Sequence, residues 1–484
     1  LEKIAERALD VAHGLGASYA DVRVIDQSTQ SIETKNDHVA AVDMSSSLGA
    51  GVRILSDGGW GFASTQDLSD DGIAKAVKEA MLVAKASAKC IEKPIELAKE
   101  SPTIADWISP CQKDPFGIDI DTKVAVLLDS AKAILAVPGV TLAHGRMHFI
   151  RDKKYFASTE GSKIFQIFCR TGCGIQANAT ADGDQQRRSY PDSDGQWELA
   201  GWEMVEKWNL PAHAQRIGEE SVALLRAPSC PQETKDIILG GSQVAIQLHE
   251  SCGHPCELDR ALGQEINYAG ASFLTPDKLN KLQYGSPIVN IVADATAAGA
   301  LGSFGFDDEG VPAQRNFLIK DGVFRGYLSS RDTAALIGLS RSGGNMRAAS
   351  WKVVPIIRMT NVSLLPGSNG GKLEDLIADT KDGILLDTNK SWSIDQLRYN
   401  FQFSTECAWE IKNGKRGKML KNASYGGITT EFWNSCDAIC GADEYVNWGT
   451  PNCGKGQPSQ SMWTGHGASP ARFRNIKVGI AHSV

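Results

Sequence analysis

His249-Glu250-Ser251-Cys252-Gly253-His254 constrains this chain more than any other stretch. It joins two imidazoles, the commonest protein ligands for zinc, to a carboxylate beside the first of them. In the zinc-protease helix the two histidines lie four residues apart and share one face. Here they are five apart, which at about 100° per residue sets them roughly 140° apart on a regular helix. Such a helix cannot aim both rings at one ion. Gly253 is a weak helix former, and Pro255 biases His254 away from the α region. The sequence therefore predicts that the helix ends, kinks or bulges near Gly253 and swings His254 back toward the metal. A third ligand is still required.

The bulk properties bound the rest. A chain of 484 residues has room for two or three domains. A net charge of −7 argues against general affinity for nucleic acid, which needs basic surface. No apolar run approaches the roughly 20 residues of a membrane span. Eleven cysteines in so long a chain do not make a disulfide scaffold, and the odd count leaves at least one unpaired. The chain opens at Leu1, already inside a helical pattern, so any targeting segment upstream would lie outside it. A cytoplasmic location is the expectation.

In chain order, Ile4, Ala8, Val11 and Leu15 form one stripe of a helix over 1–16. Period-two patterns follow at Tyr19–Val24, Ser31–Thr34 and Val39–Val42, then at Gly49–Leu55 and Trp60–Ala63. Asp57-Gly58-Gly59 between the last two reads as a hairpin turn rather than a phosphate loop. A helix is expected from Ser69 to Lys89, which completes an N-terminal α/β domain over 1–90. Residues 91–119, rich in proline and polar groups, read as a linker. A central α/β domain over 120–228 opens with a helix carrying Val124, Leu127, Leu128, Ala131 and Leu135. Four strands are expected at 140–150, 153–159, 162–170 and 173–181, then a surface loop from Asp182 to Gln196, and helices at 197–208 and 212–226. The remaining 229–484 read as a β-rich domain that carries the histidine motif on a helix capped by Ser242. The fold class is α+β.

Several groups compete for the third ligand position. Cys252 and Cys256 lie inside the motif, and His249, Cys252 and Cys256 would make a compact site, but one that leaves Glu250 without a task. Cys436 and Cys440 read as buried on one helical turn. Asp307-Asp308-Glu309-Gly310 could hold a hard cation or simply turn between strands. Cys453, in Asn452-Cys453-Gly454-Lys455-Gly456-Gln457, has no aliphatic neighbours and a lysine nearby. It reads as an exposed thiol poised as thiolate. Glu257-Leu258-Asp259-Arg260 could supply partners to the histidines.

The histidine motif together with Cys453-Gly454-Lys455-Gly456-Gln457 resembles the TldD/PmbA family of metallopeptidases, on the TldD side, over nearly the whole chain. Gly49–Arg53 with Gly61–Thr65, Asp307–Pro312 and Gly414–Lys421 resemble further segments of it. TldE-like partners lack the histidine–glutamate motif. One departure is the short Gly-Lys-Gly-Gln, where extra residues between the glycines are common. The resemblance implies His249, His254 and Cys453 as ligands of one zinc ion per chain, and Glu250 as the general base for a metal-activated water. It also implies dimers, either of one chain or with a TldE/PmbA-like subunit, and unfolded or unstructured peptides as substrate. Nucleic acid and membrane are not expected partners. His466, Arg398, Tyr399 and Lys455 are candidates to steady the oxyanion, with His466 in Thr464-Gly465-His466-Gly467 reading more simply as a solvated loop histidine. The rival readings are a non-catalytic metal-stabilised scaffold, or partner subunit, and an amidohydrolase acting on small amides.

Overall fold

The structure is a computed structural model and describes residues 1–480. Strands Tyr19–Lys35, His38–Ser56 and Gly59–Thr65 form an antiparallel meander. Asp57 and Gly58, both at positive φ, make the expected hairpin turn between the last two. Tyr19–Lys35 also pairs antiparallel with Val140–Ser158, so the sheet runs on without a break into the next helix-and-strand unit. Val140–Ser158 and Lys163–Ala181 are two long strands where the sequence suggests four short ones. The result is a single eight-stranded sheet. Helices Glu2–Gly14 and Asp70–Ser87 cover its first part. Ser69 caps the second of these by accepting from the Gly72 N–H. Helices Ile120–Leu135 and Leu210–Arg226 cover the later part. In the first helix the buried residues are Ala5, Ala8 and Ala12, so the stripe is turned slightly from that expected, and its small side chains let the helix sit close to the sheet.

Within residues 91–119, Ile104–Ile108 adds a parallel strand beside Lys163–Ala181. One expectation is corrected here. The polar run from Asp182 to Gln196 is no loose loop, because Asp184–Tyr190 is a strand of the same sheet. Its charges are buried by being paired. Glu406 accepts from Ser189 N and Oγ, both at 2.8 Å, and from Arg187 Nε at 2.8 Å. Polarity here marks a contact between parts of the chain rather than solvent exposure.

The C-terminal part is β-rich. Strands Asp382–Ile394, Glu233–Leu239, Ala471–Ile480, Ala423–Ile428 and Asn400–Lys412 pair in that order. Asn400–Lys412 then pairs back onto Asp382–Ile394, which closes the ring. A smaller sheet built on Ile291–Asp294 and a two-stranded sheet, Val446–Lys455 with Gln460–Ala468, stand beside it. Helix Gly241–Leu248 leaves the C-terminal end of Glu233–Leu239 and is packed in the largest core cluster, among Val244, Leu248, Tyr284, Met359 and Phe403. Its N-cap is Gly240 rather than Ser242.

Asp307-Asp308-Glu309-Gly310 is a turn with every carboxylate spoken for. Asp307 accepts backbone N–H groups from Glu309, Val311 and Met346. Asp308 pairs with Lys154 at 2.7 Å, and Glu309 with Arg53 at 3.2 Å. These ion pairs dock the C-terminal part on the long sheet and leave no oxygens for a cation. Cys436 and Cys440 are buried, as expected, but on strand Cys436–Ile439 and just after it, since the preceding helix stops at Asn434.

Candidate metal centre

The helix that starts at Gly241 does not break at the motif but widens. Residues His249–Gly253 form a π turn, in which the His254 N–H bonds to the His249 C=O five residues back. Pro255 then carries the chain into a 3₁₀ turn, His254–Cys256. In a π turn residues five apart are bonded neighbours on one side, so the extra residue no longer separates the histidines. Their ring centroids lie 4.9 Å apart with the planes perpendicular.

The wide turn is supported from outside the helix. Tyr284 Oη donates to the Ser251 carbonyl at 2.9 Å, and Trp433 Nε1 donates to Ser251 Oγ at 2.9 Å. Backbone that the α ladder no longer serves therefore has partners in the core. Gly253 is needed for space, since a Cβ there would lie 2.2 Å from Met359 Sδ.

Cys453 arrives on the other sheet, opposite Met462 and beside an irregularity in the Val446–Lys455 strand. His249, His254 and Cys453 form the one group of metal-ligand type found among the described residues, their ligand atoms all within 4.8 Å of one another. Cys453 Sγ is 3.7 Å from His254 Nε2. The thiol is buried, only 3% exposed, and not on the open, flexible backbone its neighbours suggest. Lys455 is buried as well, bonded to Asp259 at 2.6 Å. Gly456 serves close packing here, since a Cβ there would lie 2.7 Å from the Tyr268 ring.

Hydrogen bonding fixes the tautomer of each ring. Glu257 Oε2 lies 2.9 Å from His254 Nδ1, so Nδ1 carries the proton and Nε2 keeps its lone pair. His249 Nδ1 lies 2.8 Å from His466 Nε2, and His466 Nδ1 lies 2.9 Å from the Val362 carbonyl. A carbonyl only accepts, so His466 Nδ1 must donate. In neutral His466, Nε2 is then the acceptor, His249 Nδ1 the donor, and His249 Nε2 the free lone pair. Burial holds His249, His254 and His466 all below the ordinary histidine value, which keeps the rings neutral. Burial pushes the Cys453 thiol up, but Arg358 and His254 more than offset this and leave it below its ordinary value. Two imidazole lone pairs and an incipient thiolate are the donor set zinc prefers. The residues fit the ion.

The remaining candidates sort themselves by geometry. Cys252 and Cys256 lie 3.9 Å apart in the core, with the Cys256 thiol pushed well up by burial, and they take no part in the cluster. His466 is wholly buried in strand Gln460–Ala468 and is not a solvated loop residue. Glu250 is 4% exposed and paired with Arg398. Tyr399 Oη is directed to Thr430 at 3.4 Å. Arg358, which sequence reasoning missed, donates to the Cys453 carbonyl and to that of Gln460. A charge inside the apolar run Val353–Met359 was its only visible signal.

Comparison with known proteins agrees with this architecture. Residues 20–84 match the model of PmbA/TldA metallopeptidase domain 1, 113–227 that of the central domain, and 232–479 that of the C-terminal domain. A metalloprotease of Methanocaldococcus jannaschii is 29% identical, over 91% of this chain and 92% of its own length. A metalloprotease TldD homologue of Haemophilus influenzae is 30% identical, over 70% of this chain and 68% of its own. The solved structure of TldE from Thermococcus kodakarensis superposes with a TM-score of 0.71 at 15% identity, covering 98% of this chain and 99% of that one, a likeness of fold. The chain belongs to the PmbA/TldD metallopeptidase family.

Proposed function

We propose that the protein hydrolyses peptide bonds in unfolded or unstructured peptides, with one zinc ion per chain held by His249, His254 and Cys453. The observation that carries this is the buried convergence of two imidazoles and a thiol, each ring turned by a hydrogen bond at its far nitrogen so that Nε2 is free. Three protein donors are the number found in hydrolytic zinc sites, whereas a purely structural site closes with four. When bound, zinc supplies Lewis acidity, which polarises a peptide carbonyl and acidifies water. Glu250 stands on the same π turn as His249 without belonging to the donor group. Arg398 holds its Oε2, which leaves Oε1 to take a proton from the attacking water and return it to the leaving amine.

An extended peptide suits the surroundings of Cys453. The Val446–Lys455 strand pairs with one neighbour only in a two-stranded sheet, and nothing lies within 4 Å of the Cβ position at Gly454. Gln196 already bonds the Asn447 carbonyl and the Gly449 N–H, so a substrate would add beyond them, beside Gly454, held by its backbone and read with little side-chain preference. The active assembly is a dimer of this chain or a pair with a TldE/PmbA-like subunit. Among the described residues no helix is long and apolar enough to cross a membrane. A cytoplasmic setting without nucleic acid is the context proposed.

The test is Glu250→Gln. Zinc should stay near one per chain by elemental analysis, while cleavage of an unstructured peptide falls by about 10²–10⁴-fold. Full activity in the variant would remove Glu250 from the mechanism, and full activity after zinc is stripped from the wild type would remove the metal.

A further inference from the structure

We propose that Arg398 is the oxyanion donor of this site, a catalytic residue that bonds the carbonyl oxygen of the scissile peptide as it becomes negative. The inference rests on the peptidase reading above. In the addition step a bond forms between the water oxygen and the carbonyl carbon. The carbonyl π pair moves onto its oxygen, and the water proton passes to Glu250. In the second step the C–N bond breaks and the proton goes to the departing nitrogen. The charge on oxygen is transient, so a donor that is already in place acts without reorganising.

Arg398 is held in such a place. It lies in the turn between strands Asp382–Ile394 and Asn400–Lys412, with φ at +64°. An arginine gains nothing locally from a left-handed backbone, which glycine would adopt without strain. The turn is nevertheless pinned. The Arg398 N–H donates to Asp395 O at 3.0 Å, and Thr429 Oγ1 donates to Arg398 O at 3.0 Å. The turn is also docked on the segment that follows the histidine motif. Arg260 Nη2 donates to Gln396 O at 2.8 Å, and the Phe273 N–H donates to Leu397 O at 3.1 Å. The guanidinium is thus delivered to Glu250 by a braced hairpin tip.

Its donors are not used up. Nη1 bonds Glu250 Oε2, and Nε is buried without a hydrogen-bond partner among the described residues. The side chain keeps 15% exposure, against 5% for Glu250, so the guanidinium holds the carboxylate and still reaches solvent. The neighbouring cations are more deeply buried. Arg358 is 0% exposed and donates to two backbone carbonyls, and Lys455 is 1% exposed and bonded to Asp259 and the Ile357 carbonyl. Arg260 holds Glu265 and three backbone carbonyls. His466 uses both nitrogens behind His249.

Arg398→Gly in the zinc-loaded full chain tests this. The glycine variant suits the local backbone but leaves the buried Glu250 carboxylate without its partner, so some fall in melting temperature is expected, while the chain stays folded at assay temperature and zinc remains at the wild-type level. For the glycine variant kcat should drop about 10²–10³-fold with KM within about threefold. Millimolar methylguanidinium should restore part of the rate to that variant and none to Glu250→Gln. A kcat within about threefold of wild type, a change in KM alone, or loss of zinc would each overturn the assignment. Titration calorimetry with a phosphinate-containing peptide, whose tetrahedral anion mimics the intermediate, gives a readout apart from turnover. Arg398→Gly should lose about 10²-fold in that affinity, while binding of the parent amide peptide is unchanged in a Glu250→Gln background; equal losses for the two ligands would overturn the role. Should the wild type cleave no peptide at all, the peptidase reading fails by itself, and the phosphinate comparison still decides whether Arg398 serves a bound anion.

Discussion

His466 and Glu257 hold no position in the donor group, yet they decide which nitrogen of each histidine faces it. His466 does so through a relay that ends on the Val362 carbonyl, and Glu257 through a direct bond to His254 Nδ1. Removing such a partner releases the tautomer and the ring orientation, which typically weakens a site by 10–100-fold. His466→Ala and Glu257→Gln should each lower zinc affinity by about that factor in competition with a chromogenic chelator, with little change in far-ultraviolet circular dichroism. Wild-type affinity in His466→Ala would show that the relay has no hold on His249. Cys453→Ala removes a proposed ligand outright and should leave less than one zinc per chain after dialysis, whereas Cys252→Ala should leave the stoichiometry intact. The reverse result would move the site to the thiols of the core.

At the level of the element, the extra residue in the histidine motif is absorbed by a π turn, and its cost is met by the side chains around it. Gly253 lies against Met359, itself fully buried. Gly253→Ala should therefore lose about 1–3 kcal/mol of stability by overpacking, read from the denaturant midpoint, together with zinc affinity. Met359→Ala in the same chain opens room for the new methyl, so the pair should be less harmful than the sum of its members. Strict additivity would mean that the close approach is not what requires glycine. Gly253 and Pro255 announce a disturbed helix in the sequence, but kink, end and bulge remain equally open there. Tyr284 and Trp433, which support the bulge, lie far along the chain, and local propensity carries no trace of them.

Across the whole molecule, the long sheet is tied to the part carrying the histidine motif by buried ion pairs centred on Asp307–Glu309. Burial raises the Asp308 carboxyl, while Lys154 and Arg23 more than offset this and leave it below its ordinary 3.8. A carboxylate depressed by folding contributes stability above its unfolded value and loses it as pH falls through the folded one. The wild type should keep this contribution down to about pH 3.8 and lose it only below. Asp308→Asn lacks it at neutral pH and leaves Lys154 and Arg23 without their partner, a loss of about 3–5 kcal/mol. Chemical denaturation at pH 7 should show that gap, and it should narrow on acidification below pH 4. Identical midpoints at pH 7 would mean that the ion pairs add nothing to the docking.

The amino-acid order by itself determined what is local or carried by residue type. It determined the opening helix and hairpin, the long helix from Ser69, the β-rich C-terminal part, and the candidate ligand residues, because periodicity, turn chemistry and ligand type are written residue by residue. Only the tertiary structure decided which of those residues meet. It buried Cys453, withdrew Cys252 and Cys256 into the core, made His466 a partner of His249, and turned the polar run at 182–196 into a sheet strand. The meeting of Cys453 with His254 and of His466 with His249 spans 199 and 217 positions, so no local pattern carries it; the strand at 184–190 is a hairpin on its predecessor, and its polar residues pack because Glu406 arrives from another strand.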